Sequence, residues 1–183
     1  MKSRPTIPAN ITACRQASIS QGRCYRGTAK RGYSDEFYTP ARIPKALGRF
    51  DLDPCSGPSK HARRNLRRPK DGLAIKWAGR VWLNPPYSRI EDWLLRFIKH
   101  GNGIALVNAR PETVWFQTLA AGASALLFLR GRTKFETPDG PARNPPVGSV
   151  LVAYGKRNAA ALRSSGLAGI LVSPDPLRLR ALA

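Results

Sequence analysis

The segment Arg80-Val81-Trp82-Leu83-Asn84-Pro85-Pro86-Tyr87-Ser88 reads as an apolar strand stopped by two prolines. Val81 and Leu83 alternate with Arg80 and Trp82, the period of a strand. Pro85 and Pro86 cannot donate a backbone hydrogen bond and hold φ at about −65°. The expected result is a stiff turn at the carboxyl end of a strand, where open α/β sheets place their ligands. The turn gathers an amide side chain, a proline carbonyl and an aromatic ring. The Asn84 side-chain oxygen and the Pro85 carbonyl are two acceptors, matching the two hydrogens of an exocyclic amino group. The ring of Tyr87 can stack on the base that carries that group. The same residues also read as a strand, a Pro-Pro turn and a packing tyrosine, so the flanking sequence has to decide.

Downstream, Ile90, Trp93, Leu94, Phe97 and Ile98 fall on one face of a helix that Gly101-Asn102-Gly103 ends. Ile104-Ala105-Leu106-Val107 is a buried strand left through Asn108-Ala109-Arg110-Pro111. Residues 113–121 read as a second helix with Val114, Trp115, Phe116 and Leu119 inward. Residues 125–129 and 149–154 are strands, the second expected antiparallel to the first across a Gly/Pro-rich loop. Upstream, Tyr38-Thr39-Pro40 looks like a helix start, with Thr39 as cap, Pro40 in the first position, Pro44 keeping the helix short and Gly48 ending it. Phe50 and Leu52 alternate with acids in a short strand ending at Asp53-Pro54, and Cys55-Ser56-Gly57 follows as a candidate cofactor loop. Strand and helix alternate at this spacing in α/β folds with a mixed, mostly parallel sheet and helices on both faces.

The chain of 183 residues carries 31 basic and 11 acidic residues, a formal charge of +20. That balance favours a polyanion, nucleic acid first. Residues 1–33 hold seven Lys or Arg and no acid and read as a flexible basic arm; 34–155 form the domain, and 156–183 an extension or tail, with Gly169-Ile170-Leu171-Val172 as its one apolar stretch. Lys60, Arg63, Arg64, Arg67 and Arg68 sit in an acid-free run that is either a solvated face or a phosphate contact, and Arg130, Arg132 and Lys134 mark a second basic loop. Three cysteines without Cys-x-x-Cys and two histidines without ligand spacing indicate neither a disulfide framework nor a metal site, and a reducing cytoplasm fits. No apolar run approaches the roughly 20 residues of a membrane span, and no signal peptide is visible. Oligomeric state is not legible.

Taken in order, Asp35-Glu36-Phe37-Tyr38-Thr39-Pro40, Phe50-Asp51-Leu52-Asp53-Pro54-Cys55, Asp71-Gly72-Leu73 and Gly79-Arg80-Val81-Trp82-Leu83-Asn84-Pro85-Pro86-Tyr87 resemble the phage-type, Dam-like DNA N6-adenine methyltransferases. The resemblance implies a Rossmann-like fold and methyl transfer from S-adenosylmethionine to adenine in DNA. It also implies that Tyr38, Thr39, Pro40, Asp53, Pro54, Cys55 and Asp71 border the cofactor, and that Asn84, Pro85, Pro86 and Tyr87 are the family's catalytic Asp/Asn-Pro-Pro-aromatic. The chain departs from the pattern in four places. The loop after Asp53, Pro54-Cys55-Ser56-Gly57-Pro58, is poorer in glycine than many methyltransferase loops. Gln117 stands where histidine is expected after Trp-Phe. No strand ending in an acid is evident between 56 and 70. No insertion is long enough for a separate target-recognition domain. Three other functions suit an Asn-Pro-Pro-Tyr site on this scaffold: a protein glutamine-N5 methyltransferase, a non-catalytic basic DNA-binding protein, and, more narrowly, a cytosine-N4 methyltransferase, whose amino group poses the same geometric problem.

Overall fold

A computed structural model describes residues 37–67, 71–137, 140–143 and 147–174, all within the unit Ser34–Ala183. The basic arm, Arg68, Asn144-Pro145-Pro146 and the residues after 174 lie outside the described residues. In chain order the elements are α1 (Arg42–Ala46), β1 (Phe50–Asp53), β2 (Ala62–Asn65), β3 (Val81–Leu83), a 3-10 turn (Tyr87–Arg89), α2 (Ile90–His100), β4 (Gly103–Asn108), α3 (Val114–Ala121), β5 (Ala125–Leu129), β6 (Phe135–Thr137), β7 (Gly140–Arg143), β8 (Ser149–Tyr154), α4 (Lys156–Ser164) and β9 (Gly169–Val172).

Seven strands form one sheet in the order β2-β1-β3-β4-β8-β5-β9. Strands β2, β1, β3 and β4 pair in parallel. β8 inserts antiparallel between β4 and β5, and β9 adds antiparallel to β5. The strands β1 to β5 therefore point one way, while the β8 insertion makes the pairings on that side antiparallel. The fold is α/β and Rossmann-like. The chain goes from β1 outward to β2 and then crosses back to β3 on the other side of β1. That reversal opens a crevice at the carboxyl ends of β1 and β3, the place where such sheets bind ligands.

Helices cover both faces. Trp93, Leu94 and Phe97 of α2 and Phe116 and Leu119 of α3 bury against Val81, Leu83, Ala105 and Val152. Ile43 of α1 and Ala159 and Leu162 of α4 bury against Trp82, Ile104, Leu106 and Leu151 on the other face. β3 is buried on both sides, as a central strand requires, and Trp82 packs tilted against Phe50 at 5.4 Å between ring centroids.

Several expectations need correction. Lys60–Lys70 is not only a loop, because its centre forms β2, the sheet's edge strand. β2 carries no apolar alternation, with Ala62 its one residue packed against the core, and its last residue, Asn65, is an amide rather than an acid. Thr39 does not cap α1, whose N-cap is Ala41 with no side-chain bond. Val114 points outward, because the buried stripe of α3 runs through Phe116 and Leu119. The alternation in β1 also breaks. The Arg80 carbonyl accepts from both Asp51 N (2.7 Å) and Leu52 N (3.3 Å), a bulge-like two-to-one contact. Phe50 and Leu52 consequently bury on opposite faces of the sheet. The segment 130–147 is not plain loop, since it contains the β6–β7 ribbon. Of the two readings of the segment after 155, residues 156–174 take the extension, supplying α4 and the edge strand β9.

Candidate functional site

Asn84 follows the last residue of β3 and is the centre of a small assembly. Its Nδ2 donates to the Phe37 carbonyl at 2.7 Å and to the Thr39 hydroxyl at 3.1 Å. An amide nitrogen has two hydrogens, and both are engaged by the Phe37-Tyr38-Thr39 strap. This fixes the amide's rotation and leaves Oδ1 as its acceptor. The Asn84 backbone carbonyl accepts from the Cys55 thiol at 3.1 Å, tying the turn after β3 to the loop after β1. Burial and the neighbouring Asp53 push the Cys55 thiol well above its ordinary value, so it stays protonated and remains a donor.

The prolines behave as their chemistry dictates. Pro86 sits at φ −66° and ψ 137°, extended, and hands the chain into the 3-10 turn that begins at Tyr87. Pro85 is buried and Pro86 half-buried. The Tyr87 hydroxyl accepts from the Asn108 backbone N–H at 2.6 Å, which anchors the ring to the carboxyl end of β4. Trp115 of α3 meets that ring edge-on at 6.4 Å.

Asp53, at the carboxyl end of β1, is 2% exposed. Its Oδ1 accepts from the Cys55 N–H at 3.2 Å. Desolvation outweighs this bond and one from Ser56, and raises the carboxyl's pKa from 3.8 to about 7. No lysine or arginine among the described residues pairs with it. A buried carboxyl without a cation favours a cationic ligand that can supply the missing charge.

Two close approaches draw the neighbouring loops in. A Cβ on Gly57 would lie 2.2 Å from Tyr38 Cδ1, and one on Gly72 would lie 1.9 Å from the Pro54 carbonyl oxygen. Only glycine lets the Tyr38 ring lie on the loop after β1, and only glycine lets the 71–73 turn lie on Pro54. Asp71 itself is exposed; its Oδ1 accepts from the Leu73 N–H at 2.9 Å and its carboxylate lies 3.8 Å from Arg89. The ribbon joins from the other side, where Tyr38 and Glu136 exchange backbone bonds of 2.8 and 3.1 Å and Phe135 meets Phe37 edge-on at 6.0 Å.

The structure thus brings together Tyr38, Thr39, Asp53, Pro54, Cys55, Asn84, Pro85 and Tyr87, with Pro40 and Asp71 at the margin. Sequence reasoning missed Phe37, whose carbonyl acts, and Gly57, Gly72, Asn108, Trp115 and Glu136, which act through backbone or shape. The basic residues divide. Arg130, Arg132 and Lys134 are exposed where the chain leaves the carboxyl end of β5, the same edge as Asn84. Lys60, Arg63, Arg64 and Arg67 are exposed along and around β2. Among the described residues no three His, Cys, Asp or Glu side chains gather as a metal site, and no helix is long and apolar enough to cross a membrane.

Comparison with known proteins agrees with this geometry. The chain is 28% identical over 128 residues to a DNA N-6-adenine-methyltransferase of Escherichia phage T1, covering 63% of this chain and 52% of that protein. It is 30% identical over 88 residues to a DNA N-6-adenine-methyltransferase of Haemophilus phage HP1, covering 44% of this chain and 51% of that protein. The chain thus spans about half the length of these curated relatives. No solved structure matches. The model of the DNA N-6-adenine-methyltransferase (Dam) family matches residues 27–159, which include the strap, both loops, the Asn-Pro-Pro-Tyr turn and the whole of β1 to β8, and the chain belongs to that family.

Proposed function

We propose that this protein transfers a methyl group from S-adenosylmethionine to the exocyclic N6 of an adenine in DNA, with the base flipped out of the duplex. The observation that supports the reading is Asn84, whose two amide hydrogens are tied to Phe37 and Thr39, which leaves Oδ1 as the amide's acceptor. The buried, cation-less carboxyl of Asp53 beside it fits a donor that carries an ammonium and a sulfonium. Tyr38, Thr39, Pro54 and Cys55 would border that donor. When bound, S-adenosylmethionine supplies an electrophilic methyl on a positively charged sulfur.

The chain's own residues orient the amine. Tyr87, held at its hydroxyl by Asn108, offers its ring to the flipped base, a contact worth about 1–3 kcal/mol. Asn84 Oδ1 and the Pro85 carbonyl accept the two amino hydrogens and turn the nitrogen lone pair out of conjugation with the ring. So aimed, the lone pair would attack the donor's methyl carbon, with sulfur leaving as the neutral thioether. The product nitrogen sheds one proton, which leaves through water, because a neutral amide cannot take it. Positioning and hydrogen bonding carry the catalysis. Flipping costs roughly a few kcal/mol, and the basic loop at Arg130, Arg132 and Lys134 contributes phosphate contacts at the same edge.

The test is transfer of labelled methyl to unmethylated duplex DNA, followed by nucleoside analysis. N6-methyladenine is expected. Methylcytosine, label on protein glutamine, or binding of DNA with no transfer would each overturn the reading.

A further inference from the structure

A second cluster lies at the opposite end of the strands from Asn84. Arg49, Asp51, Arg63, Arg80 and Arg157 line a cleft of about 490 Å³. Arg49 precedes β1, Arg80 precedes β3, and Arg63 of β2 is level with Asp51. Arg157 opens α4, just after β8, whose Tyr154 pairs with Gly103 at the start of β4. The cleft therefore sits at the amino ends of the parallel strands.

Four guanidinium groups meet one carboxylate here. Among the described residues none of the four forms an ion pair with an acid. The Asp51 carboxylate is occupied by the backbone, with Oδ2 accepting from Arg80 N at 2.7 Å. Arg80 is 5% exposed. Its Nε donates to Asn158 Oδ1 at 2.5 Å, its Nη1 donates to the Leu47 and Arg49 carbonyls at 2.9 and 3.0 Å, and its guanidinium lies 4.2 Å from the Phe50 ring centre. That accounts for three of its five hydrogens. Nη2 carries the other two and is buried with no hydrogen-bond partner. Burial, with Arg157 adding to it and Asp51 opposing it, holds this guanidinium below the ordinary arginine value. Leaving a buried charged donor unmet is costly, and so is crowding cations without counter-charge. A tetrahedral oxyanion relieves both, since planar guanidinium forks match phosphate oxygens in pairs.

We propose that this cleft binds a phosphoryl group, at a site separate from the methyl-transfer edge. Arg80 is its fixed floor and the exposed Arg49, Arg63 and Arg157 are its rim. The phosphoryl group belongs either to the backbone of bound DNA or to a free phosphorylated small molecule.

The experiment titrates pyrophosphate into the full chain and follows the arginine Nε–Hε signals by NMR. Pyrophosphate should move the Arg80 signal saturably, and the double variant Arg49→Gln/Arg157→Gln should bind it at least tenfold more weakly while keeping its far-UV circular dichroism. The rim residues are exposed and lie outside the Asn84 assembly, so an unchanged urea-denaturation midpoint serves as the folding control. A 30-base-pair duplex then separates the sources. Displacement of pyrophosphate by the duplex, with a salt slope of DNA binding reduced by about 2 in the double variant, assigns the site to backbone phosphate. Retention of pyrophosphate with an unchanged slope assigns it to a free anion. An Arg80 signal unmoved by pyrophosphate, or equal affinity in the double variant, overturns the proposal.

Discussion

Asn84 illustrates how a neutral side chain becomes directional. An amide could present either end to a base, and the choice is made by the Phe37 carbonyl, which can only accept, with the Thr39 hydroxyl accepting the second hydrogen. Asn84→Ala should therefore abolish methyl transfer while S-adenosylmethionine binding, followed by calorimetry, stays within about twofold of the parent. Thr39→Val removes one of the two acceptors without changing volume much. It should lower kcat about tenfold, the worth of one hydrogen bond at about 1.4 kcal/mol, with a smaller effect on donor affinity, and Thr39→Ser should recover most of the loss. Asp53 makes a prediction of a different kind. Its carboxyl is held at about 7 in the folded protein against 3.8 when free, so the folded state binds the extra proton between those values. Stability of the unliganded protein should be greatest below about pH 4 with respect to this group and fall as pH rises through 7, by up to about 4 kcal/mol. Affinity for the cationic donor should run the other way and rise between pH 6 and 8. Asp53→Asn should flatten both profiles, measured by chemical denaturation and by calorimetry; an unchanged donor profile in that variant would remove Asp53 from the cofactor site.

At the scale of elements, the site depends on loops that approach more closely than side chains permit. Gly57 accepts the Tyr38 ring, and Gly72 accepts the Pro54 carbonyl. Gly57→Ala places a methyl group 2.2 Å from a tyrosine ring carbon and Gly72→Ala places one 1.9 Å from a backbone oxygen. The ring can swing, but the backbone has to move as a unit. Gly72→Ala should accordingly cost more, about 1–3 kcal/mol in urea denaturation, and should weaken donor binding with it. The same scale explains which elements were legible. α2 announced itself through five large apolar residues on one face, and β3 through its alternation and its prolines. β2 did not, because Ala62-Arg63-Arg64-Asn65 is held at a sheet edge by backbone pairing and has no apolar face to read. α4 did not either, because its buried stripe is Asn158, Ala159 and Leu162, in which Leu162 is the one large apolar residue and gives no readable period.

For the whole molecule, the proposed function and a formal charge of +20 on 183 residues together imply that counterion release should be the main source of affinity for DNA. If about 6–10 phosphates are neutralised, the association constant for duplex DNA should fall by about 10³–10⁵ between 50 and 200 mM salt, measured by fluorescence anisotropy. A nearly flat salt dependence would mean that the charge serves something other than a nucleic acid. By itself the sequence determined the alternation of strands and helices, the Asn-Pro-Pro-Tyr turn, the Asp-Pro-Cys loop and the sign of the charge, because periodicity, proline geometry and composition are local properties. The tertiary structure decided what depends on residues far apart in the chain. It inserted β8 between β4 and β5, bent β1 so that Phe50 and Leu52 face opposite ways, and split the basic residues between two ends of the sheet. It also turned the Asn84 amide through contacts 45 and 47 residues away, since a side chain's orientation follows from the partners that folding delivers to it.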